Sequence, residues 1–187
     1  KPTGKKTMPL PLGHAAIGLA AYETVTNVSA FERWKRFLWI ILLANLPDLD
    51  VLVGLIVHWN GQAFHRGATH SLVFALVAGF LAHRAGKRWN VVPQLSFYAC
   101  FFLILSHVLA DALLTASPVS FWWPLEIHLS AGYAGWKDVF HTVLFDGLRD
   151  AGIVLFCGLI LLARRLPPAR WWQQMAGRTR RRQTPPA

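Results

Sequence analysis

HRGATHS, residues 65–71, separates two of the most apolar stretches of the chain, LANLPDLDVLVGLIV at 43–57 and LVFALVAGFLA at 72–82. Two histidines, an arginine, a threonine and a serine stand together in it. Ionisable groups beside long apolar runs are expensive unless they are paired or used. What the polar islet means therefore depends on what the apolar runs are.

Five such runs are legible, at roughly 12–30, 37–59, 71–86, 93–115 and 151–166. Hydrophobic residues make up 54% of the 187 residues and charged residues 15%, against about 25% charged in a water-soluble domain. Five greasy helices in so short a chain leave little polar surface to cover them in water. The runs are not clean: a bilayer takes about 20 mostly apolar residues. Pro47, Asp48 and Asp50 interrupt the second run, and Leu72–Ala82 and Ala151–Ala163 suffice only if their helices continue past the apolar core. The expected architecture is all-α, a polytopic membrane bundle of about five helices over residues 1–166. A basic tail, 167–187, follows Pro167 and Pro168 and is expected to be disordered. Cys100 and Cys157 sit in separate apolar runs without a CxxC partner and read as buried thiols.

The basic residues test this topology independently. If all five segments cross, one side receives Arg33, Lys35, Arg36, Arg84, Lys87, Arg88 and every basic residue from Arg164 on, thirteen of the nineteen Lys and Arg. Positive charge marks the cytoplasmic face. The tail is predicted inside and HRGATHS outside, as in a bacterial-type inner membrane.

On that topology the unusual residues converge. His14 opens the first segment at its outer end, and Asp48 and Asp50 lie toward the outer half of the second. His65, Thr69 and His70 precede the third, and His107 and Asp111 close the fourth. His107 and Asp111 are i,i+4 and share one helical face. Pro47 breaks the helical ladder just before Asp48, and Gly67 allows a sharp turn between the two loop histidines. Aspartates brought together repel, and a divalent cation removes that penalty. Imidazole and carboxylate without sulfur suit zinc or a similar first-row ion, possessing chemistry for hydrolysis.

Taken in order, GH at 13–14, LPDLD at 46–50, HRGATHS, and SHVLADALLTASPVSFWWP at 106–124 resemble the YdjM family of inner-membrane, metal-dependent hydrolases. The resemblance implies a helical membrane hydrolase distantly like zinc-dependent phospholipase C. It implies metal ligands at His14, Asp50, His65, His70, His107 and Asp111, with Asp48 as a ligand, a group behind the ligands or the base. Val51 stands where family members often carry histidine, and none of the motifs quoted extends past WWP, which leaves Glu126 the weaker ligand candidate.

The function expected is hydrolysis of a phosphoester in a lipid or lipid-linked substrate. Arg66 is the candidate to hold phosphate, and Asp48 or Asp50 the candidate proton acceptor. The competing reading is a non-catalytic membrane protein that binds or transports divalent metal through the same ligands. Haem ligation by His70 and His107 is disfavoured by three nearby aspartates. The RTRRR run at 178–182 is read as a topology or anionic-lipid determinant, not a nucleic-acid site.

Overall fold

Pro47 decides how the second apolar segment is built. In the computed structural model, which describes residues 11–114, 118–125, 127–129 and 149–165, this segment is two helices, α2 (Trp34–Ala44) and α3 (Leu49–His58). A 3-10 turn, Leu46–Asp48, joins them, and the path bends by 58°. Proline has no N–H to donate and disfavours helix at the residue before it. Asn45 closes α2 instead, its amide N–H and its side-chain Nδ2 both bonding the Ile41 carbonyl, at 3.1 and 2.9 Å.

The other segments follow the apolar runs. They form α1 (Pro11–Thr26), α4 (Leu72–Arg88), α5 (Phe97–Leu114) and α6 (Arg149–Arg165). Among the described residues the fold is all-helical, with one isolated bridge between Val119 and Leu129. By length and composition, α5 is fit to cross a bilayer, and the bent 34–58 pair is a second if it counts as one span. The sequence led us to expect five crossings. Over their described residues, 16 or 17 each, α1, α4 and α6 reach about 24–26 Å, against about 30 Å of hydrocarbon. The tail and Glu126 lie outside the described residues.

α5 is the hub. It pairs antiparallel with α4 and with α1, and α6 runs alongside α1 in the same direction. The core they enclose centres on Leu19, Ile40, Leu43, Ala75, Leu103 and Ile104. Two glycines set the spacing. A Cβ on Gly18 would lie 2.5 Å from the Cβ of Ala44, and one on Gly79 would lie 2.9 Å from the Cα of Phe101. α1 thus touches α2, and α4 touches α5, at near backbone distance. One turn before Gly18 is His14, so the first of these crossings also fixes the depth of that imidazole.

Charge is sorted along the bundle. At the ends of α1, α2 and α6 remote from HRGATHS, Arg36 reaches Ser29 and Glu32, while Arg164 and Arg165 reach Glu23, Asn27 and Ser29. α4 ends there too, with Arg84, Lys87 and Arg88. At the opposite end the polar groups are mostly His and Asp.

These contacts predict an asymmetry among glycine substitutions. Gly18→Val overpacks the α1/α2 crossing and should cost about 1–3 kcal/mol. Gly158→Ala on α6, which meets nothing within 4 Å, should be neutral or stabilising by up to about 1 kcal/mol. Unfolding of detergent-solubilised variants measures both, and equal losses would contradict the close crossing.

Candidate metal centre

Each residue of the HRGATHS loop has a distinct local task. Arg66 takes the sharp reversal in the left-handed region at φ 67°, a conformation costing a non-glycine residue about 1–3 kcal/mol. Gly67 itself is not left-handed, at φ −83°. The loop is clamped from outside: Ser120 N–H donates to the Arg66 carbonyl at 3.1 Å, and Leu72 N–H donates to the Phe121 carbonyl at 2.9 Å. Ser71 caps α4, accepting from Phe74 N–H at 3.0 Å. Thr69 donates instead to Asp50 Oδ2 at 2.5 Å. His65 and His70 are left facing inward.

Opposite them stands the Pro47 turn. Asp48 holds the N-cap position of α3, yet its side chain makes no capping bond. Its Oδ1 lies instead 3.3 Å from His107 Nε2, 3.6 Å from His70 Nε2 and 3.9 Å from His65 Nδ1. Asp50, two residues on, is held by Thr69, by His65 Nδ1 at 3.1 Å, and by His70 Nδ1 at 3.3 Å. The two carboxylates of LPDLD therefore differ in position. Asp48 faces the Nε2 atoms of His70 and His107, and Asp50 sits behind, against the Nδ1 atoms of His65 and His70.

α5 and α1 complete the cluster. His107 Nδ1 donates to the Ala44 carbonyl at 2.7 Å, a hydrogen bond that leaves Nε2 as the acceptor nitrogen. The His107 ring stacks on His14 with centroids 3.7 Å apart. Asp111, one turn beyond His107, divides its oxygens. Oδ1 lies 3.4 Å from His14 Nε2, while Oδ2 lies 3.4 Å from His70 Nε2 and 3.5 Å from Arg66 Nη2. Arg66 is thus buried, 8% exposed, and paired with a carboxylate.

All the residues singled out on sequence grounds, His14, Asp48, Asp50, His65, Arg66, Thr69, His70, His107 and Asp111, meet in this one place. Two triads emerge, His14–His107–Asp111 and Asp48–His65–His70, each with ligand atoms within 4.8 Å of one another. Two features had no side-chain signal to announce them: the Ala44 carbonyl behind His107 and the 118–121 backbone clamp.

The donor set fits a divalent cation. Ligand atoms about 2.0–2.2 Å from a tetrahedral zinc stand about 3.3–3.6 Å apart. The closest contacts of Asp48 and Asp111 with imidazole Nε2 atoms are 3.3–3.6 Å. His70 Nε2 and His107 Nε2 are buried and close to carboxylates without hydrogen-bond alignment, and His65 Nε2 and His14 Nδ1 are buried without a hydrogen bond. Nitrogens so placed are arranged around a common space rather than bonded to one another.

His70 shows the electrostatics outside the long helices. Burial disfavours its imidazolium, but the carboxylates of Asp111, Asp48 and Asp50 outweigh that and push its pKa up to about 10.

Comparison with known proteins places these residues in context. The YdjM inner membrane protein family matches residues 8–176. The inner membrane protein YbcI of Escherichia coli (strain K12) is 40% identical over 90 residues, covering 45% of this chain and 50% of YbcI. The chain spans about half the length of that curated relative. No solved structure matches.

The raised pKa of His70 gives a pH dependence with a definite sign. The folded value lies above the unfolded value of about 6.5, so the proton stabilises the fold fully below about pH 6.5. That contribution disappears as pH rises towards about 10. Protein kept in chelator should lose thermal stability across that window, and His70→Gln should flatten the slope. Parallel slopes in the two proteins would show that His70 does not carry the charge.

Proposed function

The chain belongs to the YdjM inner membrane protein family, and we propose that it is a metal-dependent hydrolase of the cytoplasmic membrane, cleaving a phosphoester of a lipid or lipid-linked substrate. The observation carrying this reading is the pair of His/Asp triads, linked through Asp111 and opening beside an apolar groove. In this reading the chain is multi-pass, with the cluster at the outer face and the tail in the cytoplasm, as the Lys and Arg distribution favours.

His14, His107 and Asp111 would hold one divalent ion, and Asp48, His65 and His70 a second, zinc being the best match to imidazole and carboxylate. Such an ion supplies Lewis-acid chemistry, activating water and polarising a phosphoryl oxygen. The chain's own residues do the rest. Thr69 and Asp50 orient His65 and His70, and Ala44 orients His107. Every close imidazole contact of Asp48 is through Oδ1. Its side chain is 23% exposed against 2–3% for Asp111 and Asp50, which favours Asp48 as the proton acceptor. Arg66, anchored on Asp111, presents positive charge to the groove wall and suits a phosphate there.

The groove supports an amphiphilic substrate. It has a volume of about 740 Å³ and runs past Asp50, His65 and Thr69 between Leu49, Val53, Phe64 and Phe74. A chain of carbon atoms suits such walls, while the polar head would meet the cluster.

A second reading, metal binding or transport without turnover, draws on the burial of His14, His70 and His107, at 0–2% exposure. The two readings part on turnover. Purified, zinc-loaded protein should release phosphate or a phosphorylated head group from a phospholipid, and a metal carrier should not.

Three sets of variants test the hydrolase. His70→Ala and Asp111→Ala should each lower bound metal by elemental analysis and reduce phosphoester release by at least about 100-fold. Thr69→Ala, which disturbs a group behind the ligands, should weaken metal affinity about 10–100-fold. Unchanged metal content in both alanine variants would remove the centre. Leu49→Trp should slow turnover of a long-chain lipid at least about tenfold while sparing a short water-soluble ester, on the order of the loss expected for an obstructed apolar pocket. An equal effect on both esters would take the groove out of the reaction.

A further inference from the structure

A second groove runs between α2 and α4, away from the His/Asp cluster. Leu42, Leu46, Phe74, Ala78 and Leu81 wall it, and its volume is about 820 Å³. It adjoins the first groove at Leu46 and Phe74, which face both. At its far end it is lined by Arg84, Lys87 and Arg88, with Trp89 beside them. Among the described residues, no aspartate or glutamate lines it.

Three other cations of the chain are paired with carboxylates. Arg36 has Glu32, Arg66 has Asp111 and Arg165 has Glu23. Among the described residues, none of Arg84, Lys87 and Arg88 has a carboxylate within ion-pair distance. Their spacing, i, i+3 and i+4, stacks like charges on one helical face, where they repel. The C-terminal end of the α4 dipole accounts for Lys87 and Arg88 in the last turn. It does not account for Arg84, nor for the apolar trough that leads away from all three.

We propose that the α2/α4 groove binds an anionic glycerophospholipid, its phosphate on Arg84, Lys87 and Arg88 and an acyl chain extending toward Leu46 and Phe74. A basic pocket between membrane helices is suited to such a head group, and tryptophan at that level suits the interface. The trough is apolar beyond its basic mouth, so free phosphate would use only a fraction of it. This site stands apart from the hydrolase reading and requires no turnover.

The test uses the full-length protein in detergent, with phosphatidylglycerol and phosphatidylcholine of identical chains as probes and native mass spectrometry as the readout. Wild-type protein should retain phosphatidylglycerol preferentially. Replacing Arg84, Lys87 and Arg88 together by Gln should reduce that retention on the order of 100-fold, from about 1 kcal/mol per basic residue. Replacing Arg33 and Lys35, which are exposed elsewhere at the basic end, should leave it intact. Ala78→Trp should reduce retention of both lipids by filling the trough. Should that variant misfold, the Gln variant still decides. Equal retention of the two lipids by wild-type protein would overturn the proposal. So would displacement of phosphatidylglycerol by millimolar inorganic phosphate with no effect of Ala78→Trp. A dimer that Ala78→Trp converts to monomer would assign the groove to a second copy of the chain and likewise overturn it.

Discussion

Three carboxylates, Asp48, Asp50 and Asp111, are gathered in one cluster, the last two nearly shut off from water, and that placement constrains everything around them. Like charges in a poorly solvated site repel and disfavour their own ionised forms. The protein surrounds them with four imidazoles and the Arg66 guanidinium rather than with apolar packing. Arg66 offsets one of the three charges, so full neutralisation by protons alone requires two of the four imidazoles to be cationic within one buried cluster. A divalent ion does the same with less mutual repulsion among the rings. The chemistry proposed for the chain starts from that imbalance.

The fold is arranged to deliver these groups to one point. The Pro47 bend turns Asp48 and Asp50 off the axis of α2. The close approach of Gly18 to Ala44 brings α1 against α2, which sets His14 beside His107 and puts the Ala44 carbonyl within reach of His107 Nδ1. One backbone crossing thus serves packing and ligand orientation together. The Arg66 reversal is an analogous expense: an unfavourable φ is held by the 118–121 segment, and in return both loop histidines face the same space.

Much of this was legible in the chain because the relevant spacing is local. HxxxD on a helix fixes one face, and Pro before Asp-x-Asp announces a break. Apolar runs separated by polar islets marked the helices, and the family resemblance carried by HRGATHS and SHVLAD agrees with the match over residues 8–176. What could not be read depends on long-range placement. Whether Asp48 or Asp50 faces the Nε2 atoms is decided by Thr69 and His65, which capture Asp50 from another loop. Glycine at 67 suggested itself for the sharp turn, but the left-handed residue is its neighbour, because the turn is imposed by the contacts of Arg66. The number of crossings was also beyond reach: apolar composition does not set how far each helix runs, and among the described residues only α5, with the bent 34–58 pair, has the length and composition of a span.

Asp111 is shared between neighbours, one oxygen toward His14 and the other toward His70 and Arg66. Occupants of the two triads cannot then be independent. Whatever sits in the first triad pulls on the same carboxylate that the second requires, and any rotation of that group is felt by Arg66 at the groove wall. Successive ions would consequently bind with unequal strengths, and the filling order would be legible at the groove wall beside Arg66.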